Sequence, residues 1–124
     1  MQGIKSHFIP TVDKARYINA LLKVGFDTID FGSFVSPKAI PQMRDTAEVL
    51  SMLDLQTTSS KLLAIVANVR GAEMACHYDE IDYLGFPFSI SENFQMRNTG
   101  KTVAQSLLAL EEIINLAVKN NKEV

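Results

Sequence analysis

Three short apolar runs alternate along the chain with segments whose apolar residues recur at helical spacing. The runs occupy residues 26–31, 62–66 and 81–86. Each is short for a helix and has the length of a β-strand. Strands that alternate with helices are joined by crossovers and pair in parallel. The pattern therefore predicts an α/β fold with one parallel sheet of three strands.

The segments around these runs predict four helices. The first begins at Thr11, whose hydroxyl can cap it, and stops at Gly25. The second spans about residues 42–53 and the third residues 71–78, and both are bounded by polar or proline-containing loops. The fourth follows Thr102.

The fourth helix has the clearest signals. Thr102 and Gln105 match the Ser/Thr-x-x-Glu/Gln capping box. The side chains predicted to form its buried stripe are Val103, Leu107, Leu110, Ile114 and Ala117. Residues 87–100, between the third strand and this helix, are predicted to form an extended polar loop.

The predicted order is α-β-α-β-α-β-α without a linker, so residues 1–124 are predicted to form one unit. Three parallel strands make a small sheet with two open edges, whereas parallel sheets normally have more strands and cover on both faces. A closed (β/α)8 barrel takes about 250 residues. We therefore predict a partial (β/α)8 TIM barrel, with three parallel strands alternating with four helices.

Composition excludes several classes of protein. The net charge is −2 without a long run of one sign, which predicts neither a nucleic-acid partner nor a membrane surface. No apolar stretch approaches the roughly 18–20 residues of a membrane-spanning helix, and the first residues lack the apolar core of a signal peptide. One cysteine, Cys76, excludes an internal disulfide and fits a reducing compartment. We expect a cytoplasmic location.

Polar residues follow the first strand, where α/β folds build their sites. Asp30 and Ser33 stand at its carboxyl end, flanked by Ser36 and Lys38. A carboxylate here can accept a proton or position a cation, and a hydroxyl can hold an oxyanion. Equally, Asp30 could cap local amides and Ser33 could open an ordinary turn. Both interpretations stay open on the pattern alone.

Two further positions are candidates. Asn68 follows the second strand and could orient a carbonyl, although capping the next helix is the better interpretation from the residue itself. Arg97, Asn98 and the amino end of the Thr102 helix could together hold a phosphate or an acyl-CoA tail, or form a solvated loop. His7 and His77 have no partner at ligand spacing, so no metal ligand is assigned.

The chain resembles the hydroxymethylglutaryl-CoA lyase family over almost its whole length. The resemblance is strongest in residues 29–43, within which the run 33–43 with its two prolines is nearly a family signature. The residues that carry it are the run IDFGSFVSPKAIPQM at 29–43, EVL at 48–50, Asn68, Gly71, Glu73, SENF at 91–94 and Asn98. By this resemblance the chain is a single incomplete barrel segment, comprising strands 2–4 and their helices.

The resemblance implies a chemistry. Family members are (β/α)8 barrels that cleave 3-hydroxy-3-methylglutaryl-CoA to acetyl-CoA and acetoacetate, a reaction of leucine degradation. A divalent cation, Mg²⁺ or Mn²⁺, holds the substrate oxygens while a base removes the hydroxyl proton and the carbon–carbon bond breaks as in a retro-aldol reaction. The implied partner is an acyl-CoA thioester.

The resemblance also implies residue roles. Asp30 takes the place of an active-site glutamate and Ser33 that of a neighbouring hydroxyl. Gln2 and Asn68 are expected to contact the substrate. Two further residues, Lys5 and Asn98, are expected to contact coenzyme A.

The chain also departs from the family pattern. Asp30 is one methylene shorter than the usual glutamate, and Ala67 stands where proline is usual. The family's Arg-Asp pair falls before Met1, and its His-x-His metal ligands and catalytic cysteine fall beyond Val124. We therefore expect the isolated chain to lack the metal ligands and to be inactive.

Two alternatives remain at this point. The Asp30 substitution allows a related aldolase, or a synthase that joins acetyl-CoA to a 2-oxo acid. The open sheet edges allow a non-catalytic half-barrel that associates with itself, a possible homo-oligomer.

Overall fold

The computed structural model describes residues 3–4 and 6–124. Its sheet contains β1 (Thr28–Ser33), β2 (Lys61–Ile65) and β3 (Tyr83–Gly85), paired in parallel in the order β1-β2-β3. The helices are α1 (Thr11–Leu22), α2 (Thr46–Ser51), α3 (Val69–Cys76), α4 (Glu92–Thr99) and α5 (Val103–Lys119). The predicted α/β class and parallel sheet are confirmed.

The hydrophobic core lies between one face of the sheet and the helices. It joins side chains of all three strands to side chains of α1, α2, α3 and α5. Ile113 of α5 and Ala64 of β2 are both fully buried in it. Burying an isoleucine of this kind stabilises a fold by about 1.5–3 kcal/mol. The opposite face of the sheet has no helix on it in the described part of the chain.

The sheet continues beyond β3. After α5 the chain turns at Asn121, whose φ is 55°, and Glu123 forms a parallel bridge with Tyr83. The amide of Leu84 donates to the carbonyl of Glu123 at 2.8 Å. The segment after α5 therefore pairs with β3 as the next strand of a barrel would. The fold is a segment of a (β/α)8 barrel, as predicted.

The first strand and second helix differ in their limits from the prediction. β1 begins at Thr28, and Phe26 lies outside the sheet with 51% of its surface exposed. Residues 42–53 form a 3-10 turn, Pro41–Met43, and then α2. The break is at Asp45, whose carboxylate is bound by Lys14 and Thr11 of α1 at 2.6 and 2.8 Å. Thr11 therefore bonds Asp45 instead of capping α1, whose cap position is Pro10.

The prediction of a loop at residues 87–100 is wrong, because α4 lies within it. The described chain thus has five α-helices where four were predicted. Ser91 caps α4, and Gly100 ends it in the left-handed conformation at φ 70°. The helix is anchored by a polar side chain, since Gln95 is 1% exposed and donates to the hydroxyl of Ser106 at 2.7 Å. Because the buried residue of α4 is polar, the helix has no apolar periodicity by which the sequence could indicate it.

The capping box of α5 is confirmed, but most of its predicted apolar stripe is wrong. Thr102 and Gln105 exchange both capping hydrogen bonds. The buried residues are Ser106, Ala109, Ile113 and Ala117, of which only the last was predicted. Leu107 and Ile114 are 50% and 43% exposed. The face of α5 that packs inward toward α3 and the sheet thus contains one large apolar residue, Ile113, among small ones, while Leu107 and Leu108 face outward.

In the described part of the chain, no helix has both the length and the apolar character that a membrane span requires.

Candidate active site

The face of the sheet opposite the core is the interior face in a barrel. Ala64 of β2 is buried in the core, whereas Leu63 and Ile65 beside it are only partly buried. Successive side chains of a strand point to opposite faces, so Leu63 and Ile65 lie on the interior face. Leu63 pairs with Asp30 of β1 and with Tyr83 of β3. Asp30 is therefore in register with Leu63 and Tyr83 on this face.

A β-bulge interrupts β1 immediately after Asp30. Asp30 pairs with Leu63 and Gly32 pairs with Ala64, so β1 advances by two residues while β2 advances by one. Phe31 is the extra residue, and its side chain is buried in the core. A bulge of this kind shifts every later side chain of the strand by one position relative to the sheet faces.

The bulge brings the two candidate catalytic residues to one face. Asp30 and Ser33 are three positions apart, so in a regular strand they would point to opposite faces. With the extra residue, Ser33 pairs with Ile65, a residue of the interior face. Asp30 and Ser33 therefore both belong to the interior face. Their catalytic roles stay predictions, but their placement suits a shared site.

The Ser33 hydroxyl is buried and unpaired. The residue is 4% exposed, and its Oγ is the buried side-chain polar atom without a hydrogen-bond partner among the described residues. Leaving such a group unpaired costs about 1–3 kcal/mol. The backbone of Ser33 is in contrast fully held, since its amide donates to the hydroxyl of Thr46 at 3.1 Å. The backbone of Ser33 is thus fixed, and its hydroxyl keeps the capacity for a further hydrogen bond.

Burial raises the pKa of the Asp30 carboxyl above its ordinary value, and the backbone amide of Gly32 partly offsets this. The residue is exposed on the open face, but the surrounding strands still remove part of its hydration. A carboxyl with a raised pKa is a better proton acceptor than an ordinary aspartate.

The raised pKa of Asp30 predicts a pH-dependent effect on stability. Such a group favours the folded state fully below the unfolded-state pKa of about 3.9, and this contribution is lost as the pH rises through the folded-state pKa. Asp30→Asn should therefore unfold at a higher temperature than the parent at pH 7. The difference should shrink as the pH falls toward about 4. Thermal unfolding at both pH values checks this, and a less stable variant at pH 7 would contradict it.

The loop after β1 opens with a turn. The carbonyl of Ser36 accepts from the amides of Ala39 and Ile40 at 2.9 and 3.1 Å, and its hydroxyl accepts from the amide of Lys38 at 3.3 Å. Ser36 and Lys38 are both exposed. Ser36 therefore has a local structural role.

Gln2 and Lys5, predicted to contact substrate and coenzyme A, lie outside the described residues. The described residues Ile4, His7 and Ile9 are bonded by the side chain of Gln42. Its Oε1 accepts from the amide of Ile9 at 3.1 Å, and its Nε2 donates to the carbonyls of Ile4 and His7. Sequence reasoning missed this role, because nothing in the local pattern marks a buried glutamine.

A cavity of about 640 Å³ lies between this segment and the residues that follow the turn. It is mostly apolar, with a histidine and an arginine at its wall. Its lining residues are Ile4, His7, Phe8, Ala39, Ile40, Pro41, Gln42 and Arg44. Its volume is that of a site for a small organic group.

The two asparagines are not brought together with Asp30 by any contact. Asn68 caps α3, with its side-chain oxygen accepting from the amide of Gly71 at 2.9 Å, which confirms the capping interpretation. Asn98 is exposed on α4. Their contacts with substrate and coenzyme A stay predictions.

At the amino end of α5, side chains already bond two of the first backbone amides. The amide of Val103 donates to the carboxylate of Glu92 at 3.0 Å, and the amide of Gln105 donates to Thr102 at 3.1 Å. These amides are already satisfied, and the Glu92 carboxylate would repel a phosphate. That Arg97, Asn98 and this helix end together hold a phosphate or an acyl-CoA tail stays a prediction, to which these two bonded amides would not contribute.

The described residues do not form a metal site. Within residues 3–4 and 6–124, no three side chains of His, Cys, Asp or Glu come together closely enough to hold a cation. The ring of His7 bonds to the hydroxyl of Ser6 at 3.0 Å, and that of His77 to the carbonyl of Glu73 at 2.7 Å. The donor set present here does not fit a divalent cation, and we assign no step to one.

Similarity to known proteins agrees with this fold. The chain is 35% identical over 114 residues to the hydroxymethylglutaryl-CoA lyase of Bacillus subtilis, a match that covers 92% of this chain and 38% of that protein. The chain resembles part of the hydroxymethylglutaryl-CoA lyases. The 3-hydroxy-3-isohexenylglutaryl-CoA/hydroxy-methylglutaryl-CoA lyase of Pseudomonas aeruginosa is 32% identical over 94% of the chain. No family model matches.

Solved structures agree with the sequence relatives. The HMG-CoA lyase of Acinetobacter baumannii, in complex with coenzyme A and 3-methylmalate, superposes with a TM-score of 0.88 at 31% identity. That match covers 98% of this chain and 39% of the solved one. The Bacillus subtilis lyase gives a TM-score of 0.87 at 34% identity. The chain spans about two fifths of the length of the curated relatives it matches.

Proposed function

We propose that this chain forms one wall of the active site of a carbon–carbon lyase acting on 3-hydroxy-3-methylglutaryl-CoA. The products would be acetyl-CoA and acetoacetate. The observation that carries the proposal is the bulge in β1, whose register puts both Asp30 and Ser33 on the interior face of the sheet. It is supported by the similarity of the whole described fold to HMG-CoA lyases.

The proposed roles follow from the chemistry of the two groups. In a retro-aldol cleavage the tertiary hydroxyl loses its proton, the carbon–carbon bond breaks, and the acetyl-CoA enolate takes up a proton. Asp30, with its raised pKa, would accept or relay a proton near the reacting carbons. The unpaired Ser33 hydroxyl would donate a hydrogen bond to a substrate oxygen. The resemblance implies a divalent cation, and none of its ligands is assigned to the described residues.

The remaining contacts extend from this pair. We propose that Gln2 and Asn68 contact the substrate, and that Lys5 and Asn98 contact coenzyme A. The cavity is lined by Ile4, which precedes Lys5 in the sequence, and by His7. We propose that this cavity receives part of the coenzyme A arm. We also propose a cytoplasmic location, in keeping with the free cysteine Cys76, which fits a reducing compartment. A role in leucine degradation is proposed from the resemblance to the lyases.

A chimera tests the function. Residues 1–124 would replace the matching portion of the Bacillus subtilis lyase, and acetoacetate would be assayed with the thioester and Mg²⁺. We expect turnover by the chimera and none by the isolated chain. Asp30→Asn in the chimera should lower kcat by about 100-fold or more, since general acid–base groups contribute at that level.

The matched control is Asp79→Asn, which removes an exposed carboxylate from a turn outside the site. It should leave kcat unchanged. A folded chimera without lyase activity would contradict the proposal. Activity with acetyl-CoA and a 2-oxo acid in its place would favour the related synthase, the alternative motivated by aspartate at position 30.

A further inference from the structure

The hydroxyl of Thr46 lies within hydrogen-bond distance of both the backbone amide and the backbone carbonyl of Ser33. It accepts from the Ser33 amide at 3.1 Å and lies 3.0 Å from the Ser33 carbonyl, to which it can donate. The carbonyl of Met43 lies 2.8 Å from the same hydroxyl and is the alternative acceptor. Thr46 is 4% exposed, so these bonds are made out of contact with water. Buried bonds of this kind are costly to lose.

The methyl group of Thr46 fixes the residue before Ser33. A Cβ at Gly32 would lie 2.5 Å from the Thr46 Cγ2. This approach is too close for any side chain at position 32, so that position requires glycine while Thr46 stays where it is. One threonine therefore touches both residues of β1 that follow the bulge.

The position of Thr46 is itself fixed by its neighbour Asp45. Thr46 is the first residue of α2, and Asp45 beside it is bound by Lys14 of α1 at 2.6 Å. Lys14 is 2% exposed and Asp45 is 6% exposed. The helix start that carries Thr46 therefore cannot shift without disrupting a buried ion pair.

We propose that Thr46 is a positioning residue that keeps the bulge of β1 in place and thereby keeps Asp30 and Ser33 on one face. Without the Thr46 hydroxyl, the end of β1 can relax toward a regular strand. A shift by one residue would turn Ser33 toward the helices, because side chains alternate between faces. The catalytic meaning of this placement rests on the proposed function, but the placement itself does not.

Three variants separate positioning from general stability. Thr46→Val removes the hydroxyl and keeps the shape, and Thr46→Ser keeps the hydroxyl. Thr58→Val is the matched control, because the Thr58 hydroxyl also accepts an amide, from Ser60 at 3.1 Å, and donates to a carbonyl, of Leu22 at 3.3 Å. It lies just before β2, away from the bulge. Losing such bonds destabilises the fold in either case.

The readout is NMR of the 124-residue chain. In the parent and in Thr46→Ser, cross-strand contacts should pair Ser33 with Ile65, and the Asp30 carboxyl should titrate above the ordinary aspartate range. Thr46→Val should lose this pairing, and the pKa of Asp30 should rise further, because the Gly32 amide that lowers it would change position. Thr58→Val should keep both, despite a similar loss of stability.

Retention of both signals in Thr46→Val, or their equal change in Thr58→Val, would overturn the proposal. If Thr46→Val does not fold, Thr46→Ala removes the hydroxyl without placing a new methyl group beside the strand. Failure of both to fold would assign Thr46 a purely structural role and would also overturn it. In an active chimera, Thr46→Val should lower kcat by about 100-fold with a smaller change in KM.

These measurements on the 124-residue chain need no turnover. An inactive chimera would therefore overturn the proposed function and leave the result on Thr46 standing.

Discussion

Replacing Lys14 with methionine should destabilise the fold by about 3–5 kcal/mol. The Nζ of Lys14 lies 2.6 Å from Asp45 Oδ1, and both residues are buried. Methionine would fill most of the space but leave the Asp45 carboxylate buried with only Thr11 as a partner. Removing one member of a buried ion pair is much more costly than removing both. Urea unfolding followed by circular dichroism measures the loss.

The matched control for Lys14 is an ion pair on the surface of the same helix. Arg16 and Asp13 approach to 3.4 Å, with 77% and 52% of their side chains exposed. Arg16→Ala should change stability by less than about 0.5 kcal/mol, since exposed pairs contribute little. Equal losses in Lys14→Met and Arg16→Ala would contradict the buried-pair account. Adding Asp45→Asn to Lys14→Met should recover part of the loss, because the orphaned charge is then gone.

The Lys14 network links the core to the candidate cavity. Lys14 Nζ also donates to the carbonyl of Gln42 and lies 3.9 Å from the centre of the Phe8 ring. Arg44 lies 4.0 Å from the centre of the same ring. Phe8 and Gln42 both line the cavity beside the segment that contains Lys5. The wall of the cavity therefore depends on a buried cation that contacts Phe8 and Gln42, residues on two separate segments of the chain.

Local signals in the sequence were enough for some features. The capping box of α5 needs only Thr102 and Gln105, which are three residues apart, and the structure shows both hydrogen bonds. The cap of α3 by Asn68 is local in the same way. The alternation of strands and helices predicted a parallel sheet, because connection rules leave few other arrangements.

Other features depend on pairing over long distances. The bulge exists only relative to β2, whose residue Ala64 is far from Gly32 in sequence. No local pattern could show that Asp30 and Ser33 share a face, since their spacing predicts the opposite. The anchor of α4 is likewise a buried glutamine, Gln95, paired with Ser106. Polar anchors carry no apolar periodicity, so sequence patterns do not reveal them.

Replacing Gly71 with alanine should destabilise the fold by about 3 kcal/mol and lower the unfolding temperature by about 10 °C. A Cβ at position 71 would meet the backbone carbonyl oxygen of Phe34. Neither group can move aside easily, because Gly71 lies in the first turn of α3 and the Phe34 amide extends the sheet by bonding to Ile65 at 2.8 Å. Alanine is the better helix former, so the contact must outweigh a gain of about 0.5–1 kcal/mol.

Gly100→Ala is the control, since it adds the same methyl group at a position where no atom is close enough to clash with it. Gly100 has open space around its Cα but a φ of 70°, so alanine there should cost only about 1 kcal/mol of backbone strain. Gly71→Ala should also disturb the ring stack of Phe34 and Tyr78, whose centroids lie 5.5 Å apart. NMR shifts of both rings report this directly. Equal losses in the two variants, with unchanged ring shifts, would show that α3 does not press on the loop after Ser33.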